Sequence, residues 1–142
     1  MDFEVLRPMF FGLIMWTAAV YAFRRGGWEE RLASVNMIVA TYLSVLLNSP
    51  YNAYENIEVS VVWVDLSSLF VQQLIALRSK KFWPMWLAAF HGVTVLGHLA
   101  PLLPEIPAYM AYNAVALWGY PSWVLLAFAV YGHDKRRRAL EA

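Results

Sequence analysis

Five apolar stretches, each closed by charged or helix-breaking residues, constrain this chain more than any other feature. They run from Leu6 to Phe23, about Leu32 to Leu47, about Ile57 to Leu77, Phe82 to about Leu103, and about Ile106 to Tyr131. A helix needs about 20 mostly apolar residues to cross the hydrocarbon core of a bilayer. The first stretch stops at Arg24-Arg25-Gly26-Gly27, the second at Asn48-Ser49-Pro50, and the third before Arg78-Ser79-Lys80-Lys81. Pro101 lies near the end of the fourth. Pro121 lies inside the fifth, where its missing N–H predicts a kink. Short linkers favour antiparallel neighbours. These features predict an all-α, polytopic helical bundle with five transmembrane helices. Residues 1–142 would form one integral membrane domain, and 132–142 a basic cytoplasmic tail.

The placement of charge tests this count. Cytoplasmic loops of membrane proteins collect Lys and Arg. Five spans put Arg24, Arg25, Arg31, Arg78, Lys80, Lys81, Lys135, Arg136, Arg137 and Arg138 on one side, and only Arg7 on the other. Merging any two stretches would break this sorting. The N-terminus is therefore expected outside and the C-terminus inside. Aromatic residues agree: Tyr51, Tyr54, Tyr109 and Tyr112 would mark the outer interface, and Trp28, Phe82, Trp83 and Tyr131 the inner one. A cleaved signal peptide is not expected, because Asp2 and Glu4 make the start acidic and arginines follow the first apolar run directly. Composition fits the membrane. Hydrophobic residues make up 61% and charged residues 15%, against about 45–50% and about 25% in soluble domains. The chain has no Cys, which removes disulfides, thiolate metal sites and Cys nucleophiles.

Within the apolar stretches the polar residues fall on helical stripes. The third carries Glu58, Asp65 and Gln72 seven apart, with Ser68 between. The fourth carries His91, Thr94 and His98. The second has Asn36, Ala40, Ser44 and Asn48, and the fifth Tyr109, Asn113, Ala116 and Tyr120. Residues seven apart share a helix face, and polar faces turn toward other helices because lipid offers no hydrogen bonds. Counting from the basic loops, Asp65 lies roughly 20 Å deep, His91 roughly 15 Å and His98 roughly 25 Å, at about 1.5 Å per residue. The expected constellation is a polar cluster of Asp65, Ser68, His91, Thr94, His98, Asn113 and Tyr120. Asp65 is the one carboxylate well inside a span. A charged Asp there costs about 2.5–3.5 kcal/mol on insertion scales, relieved by taking up a proton or by pairing with a histidinium.

Several chemistries compete for this cluster. Hydrogen-bonded packing that fixes helix register is one. Proton or ion handling by Asp65, with His91 and His98 as relays, is another. It lacks a chain of carboxylates continuing toward the cytoplasm, and Gln72 does not titrate. His91 and His98 sit on one face two turns apart, so they cannot flank a single haem, and His133 lies at the cytoplasmic end. A single-His haem ligand at His91 or His98 stays open. So do a metal site from Asp65, His91 and His98, although no HExxH is present, and a quinone or lipid in an aromatic-lined groove. No cofactor is expected. No GxGxxG, Walker A or GxSxG sequence occurs. Lys135-Arg136-Arg137-Arg138 could bind anionic headgroups at about 1 kcal/mol each, but reads first as a topology signal. Met9, Met15, Met37, Met85 and Met110 read as packing residues.

The stretch RSKKFWPMWLAAFHGVTVLGHLA, with VDLSSLF before it and ALWGYPSW after it, resembles a group of small multi-pass proteins of α-proteobacteria, over roughly two-thirds of the chain. That group has no assigned function. The resemblance implies a Gram-negative inner membrane and carries over no functional residue. Small size and the lack of a complete catalytic set point first to a non-enzymatic accessory protein. It would pack against other membrane proteins or itself, and would not bind nucleic acid. A small proton- or ion-coupled transporter is the alternative, followed by a haem-, metal- or quinone-binding redox protein.

Overall fold

The computed structural model describes residues 3–48, 58–103 and 105–142. Residues 49–57, with Tyr51, Tyr54 and the expected start of the third span at Ile57, lie outside the described residues, as does the side chain of Tyr112. The described residues are helical and contain no strand. Five helices are long and apolar enough to cross a membrane. They are α1 (Phe3–Arg25), α2 (Trp28–Leu47), α3 (Val59–Arg78), α4 (Trp83–Gly97) and α5 (Ala108–Glu141), with a 3₁₀ turn at Ala100–Leu102.

Each boundary has a local cause. Only Gly26 and Gly27 separate α1 from α2, so the two helices must run antiparallel. A Cβ at Gly26 would stand 2.5 Å from the Ala22 carbonyl oxygen and 2.8 Å from Glu30 Cβ, so the turn closes only because that atom is missing. The Glu30 carboxylate accepts the Gly27 N–H at 2.9 Å and satisfies one of the donors left free at a helix start. Helix α2 therefore begins at Trp28, four residues before the expected Leu32, and takes Glu29 and Glu30 into its first turn.

The fourth span is α-helical only to Gly97. The ring of Pro101 would clash with the carbonyl four residues earlier, which is that of Gly97. The chain continues as a 3₁₀ turn, and His98 is left at the helix end. In contrast, α5 runs unbroken through Pro121 to Glu141. At 34 residues it is about 51 Å long, well beyond a hydrocarbon core of about 30 Å. The expected tail at 132–142 is thus the projecting end of α5.

Helix contacts run α1–α2–α3–α4–α5 and back to α1, with α2 also touching α5 across the ring. Large apolar side chains cover the outer face, and several polar side chains are buried among apolar ones. Leu77 is 80% exposed, whereas Gln72 is 1% and Glu30 0% exposed. That is the reverse of a soluble protein, whose ionisable residues stay in water. Small residues (Ala18, Ala19, Ala22, Ala33 and Ala88) let the backbones approach in the buried core. Of the methionines, Met15 and Met37 are in that core, and Met9, Met85 and Met110 are on the outer face. Trp28, Phe82 and Tyr131 are exposed near the basic end, while Trp83 packs against the core.

The core is lopsided. Its residues Met15, Ala22, Ala33, Met37, Ile75, Leu87, Trp123, Leu126 and Val130 come from the halves of the helices nearest the basic loops. The opposite halves enclose a cavity.

Candidate functional site: an intramembrane Asp–His cluster

The cavity has a volume of about 360 Å³, is open rather than sealed, and draws its walls from all five helices. Phe11, Trp118, Tyr120 and Trp123 supply aromatic surface, Thr41, Ser44 and Thr94 hydroxyls, and Arg7 the cationic side chain. Asp65, His91 and His98 line it as well.

Asp65 is placed by the stripe Val61, Asp65, Ser68, Gln72 and Ile75, the buried face of α3. Helix α4 packs beside α3, and its two histidines, seven residues apart, converge on the one carboxyl group. His98 Nε2 lies 2.6 Å from Asp65 Oδ2. His91 Nε2 lies 3.7 Å from Oδ1 and 3.1 Å from the Asp65 carbonyl oxygen. A carbonyl only accepts, so His91 Nε2 carries hydrogen and donates to it. The contact at His98 is of a different kind, since imidazole and carboxyl can each give or take the proton between them. Both residues are buried, Asp65 6% and His98 8% exposed, so the contact sits in the cavity wall rather than on the outer surface.

The remaining members of the expected cluster separate. Thr94 and Tyr120 line the same cavity, and the Tyr120 hydroxyl donates to the Arg7 carbonyl at 3.2 Å. Asn113 is exposed; its side-chain oxygen accepts Arg7 Nη1 at 2.8 Å. Ser68 faces α2, where its hydroxyl accepts Asn36 Nδ2 at 2.9 Å, and it lines a separate groove between α2 and α3. Among the described residues no group of three or more His, Asp or Glu side chains is arranged to hold a metal ion. The donor hydrogen on His91 Nε2 shows why this trio does not form such a set: that nitrogen has no lone pair to offer.

A second polar cluster, not foreseen, closes the basic end. Lys81 Nζ donates to Glu30 Oε1 at 2.7 Å and Oε2 at 2.9 Å, and to Glu29 Oε2 at 3.1 Å. It also lies 3.1 Å from His133 Nδ1. An ammonium only donates, so Nδ1 accepts. Ser79 Oγ donates to Glu29 Oε1 at 3.3 Å. Beside it, Asp134 pairs with Arg25, Arg137 and Arg138 at 3.7, 3.0 and 2.9 Å. Four of the ten basic residues read as topology or headgroup signals, Arg25, Lys81, Arg137 and Arg138, thus hold acidic side chains of the chain itself. A usable signal was present: Gly-Gly followed by Trp-Glu-Glu is a helix start with acidic residues in the first turn.

No family model matches the chain, and no curated protein or solved structure matches it significantly. Function is therefore read from the chain's own residues.

Proposed function

We propose that this chain is a small proton-coupled transporter of a bacterial inner membrane. In this reading Asp65 and His98 bind the exchangeable proton, and His91 orients the carboxyl group. The observation that carries the reading is the 2.6 Å contact between Asp65 and His98 on the wall of a cavity of about 360 Å³. Small-molecule sites span about 300–1,000 Å³ and are mostly apolar with a few placed polar groups. Ionisable residues within a span are costly and are characteristic of proton relays and substrate pathways. One added proton takes the pair from a single negative charge to neutral, which changes what the cavity attracts. By the positive-inside rule the ten basic residues face the cytoplasm. The N-terminus and the cavity then face the periplasm, and the C-terminus the cytoplasm.

Trp118 and Trp123 line the cavity, so indole emission reports the charge of the pair. Emission of the wild-type protein in detergent is expected to change with pH, and Asp65→Asn, which keeps the side-chain shape, should remove that component. Identical titrations of the two proteins would overturn the assignment.

A second reading, as an accessory subunit, has its own observation. The groove between α2 and α3 presents Asn36, Ser60, Ser67 and Ser68 among apolar residues, and small polar side chains at such depth support helix association. Native mass in mild detergent tests it. A defined complex with another membrane protein favours this reading, and a lone chain or small homo-oligomer opposes it.

A further inference from the structure

Between the two polar clusters the bundle holds buried polar groups that no other group of the chain satisfies. Ser34 Oγ and both side-chain polar atoms of Gln72 have no hydrogen-bond partner, at residue exposures of 0% and 1%. The only other such side-chain atom among the described residues is Trp83 Nε1, at the start of α4. Leaving a buried donor or acceptor unsatisfied costs about 1–3 kcal/mol each, so three such atoms together call for a ligand.

The helix register places them at the same level of the bundle. Helices α2 and α3 are antiparallel, and Asn36 of one bonds Ser68 of the other. Toward the basic end, Glu29 meets Ser79. Stepping from the first contact places Gln72 opposite Leu32; stepping from the second places it opposite Asn36. Gln72 is therefore level with the middle of that interval, where Ser34 is the buried polar residue. Ser34 is one turn from Glu30 on the same face, about 6 Å along the axis, and Gln72 is two turns from Asp65, about 10.5 Å. The unpartnered atoms thus lie between the Asp65–His98 pair and the Glu30–Lys81–His133 cluster.

We propose that Gln72 and Ser34 bind water inside the bundle and that this water relays protons between the two clusters, giving the coupled proton its route from the cavity to the basic face. The inference rests on Asp65 as the outer proton site. A proton leaves the Asp65–His98 pair along waters that enter from the cavity lined by Asp65 and Met37, the last of which donates to the Gln72 side-chain oxygen. That water passes one of its own protons toward the water or hydroxyl at Ser34, and the last transfer protonates the Glu30 carboxylate. Each carrier gives up one proton as it gains one. Gln72 orients without carrying, since its amide does not titrate. Release follows through His133: its Nδ1, which faces Lys81, takes the proton as that contact opens, Nε2 gives its own hydrogen to solvent, and Lys81 stays bound to Glu29. The titratable and charged groups facing this route are Asp65, His91, His98 and Arg7 at the cavity, and Glu29, Glu30, Lys81 and His133 at the basic end.

The test is proton flux into phospholipid vesicles holding the full chain and an internal pH dye, driven by a potassium diffusion potential. The wild-type protein should conduct well above empty vesicles. Gln72→Leu should slow the flux about tenfold, the effect of one lost hydrogen bond on a barrier, with the fold kept, because leucine is close to glutamine in volume and suits the apolar surroundings. Ser34→Ala, a smaller change, should also slow it. Wild-type flux equal to that of empty vesicles, or full flux in both variants, would overturn the relay. If the Asp65-dependent indole titration persists while flux is absent, the outer proton site stands and the relay alone falls. If both are absent, the proposed function falls with it.

Discussion

Lys81→Met is expected to destabilise the protein by about 3–5 kcal/mol, the cost of removing one partner from a buried ion pair. Among the described residues Lys81 is the cation that pairs with Glu29 and Glu30, whose side chains are 9% and 0% exposed. Without its ammonium two carboxylates are left close together at the start of α2, held by uncharged donors that include the Gly27 N–H, the Glu29 N–H and the Ser79 hydroxyl. An exposed pair would contribute only about 0–1 kcal/mol, so magnitude alone distinguishes the two situations. Denaturant titration in mixed micelles measures the difference. A loss below about 1 kcal/mol would show that water reaches the cluster. Combining Lys81→Met with Glu30→Gln should recover most of the loss, since the amide removes one of the two charges and still accepts the Gly27 N–H.

His98→Leu comes next in size, at about 3 kcal/mol, the lower end of the same range. It takes the 2.6 Å partner from Asp65, but His91 remains 3.7 Å from the other carboxyl oxygen. Replacing both members, Asp65→Leu with His98→Leu, should be neutral or stabilising by about 1–4 kcal/mol, as for other buried pairs exchanged for apolar residues. Stability and proton response then part company: the single variant is weak, and the double variant is stable but silent to pH. A double variant less stable than either single one would show that the pair serves packing and not proton exchange.

The five apolar helices are legible in the sequence because lipid imposes length and apolarity on each separately, but their ends are not: α2 begins at Trp28 and α4 stops at Gly97. That Asp65 and the histidines share a depth, each on its helix's polar stripe, is readable as well; their 2.6 Å contact is not. Helix order is not readable, because depth says nothing about which helices are neighbours. Ser68 shows the limit: it is three residues from Asp65, yet it turns to α2 while Asp65 turns to α4. Asn113 matches the cluster in depth but lies on the exposed side of α5. The basic-end cluster is hidden for another reason. Glu29, Glu30 and Lys81 look like loop charges until the Gly26–Gly27 turn folds α2 back so soon that its first turn is inside the bundle.

The most direct measurement is the infrared difference spectrum between neutral and acidified samples of wild type and Asp65→Asn. A buried carboxyl that gains a proton acquires a carboxylic-acid carbonyl band. The Asp65–His98 exchange predicts a band, or a change in one, that the wild-type spectrum shows and the Asp65→Asn spectrum lacks. Superimposable difference spectra would mean that Asp65 neither gains nor loses a proton, and would contradict the account.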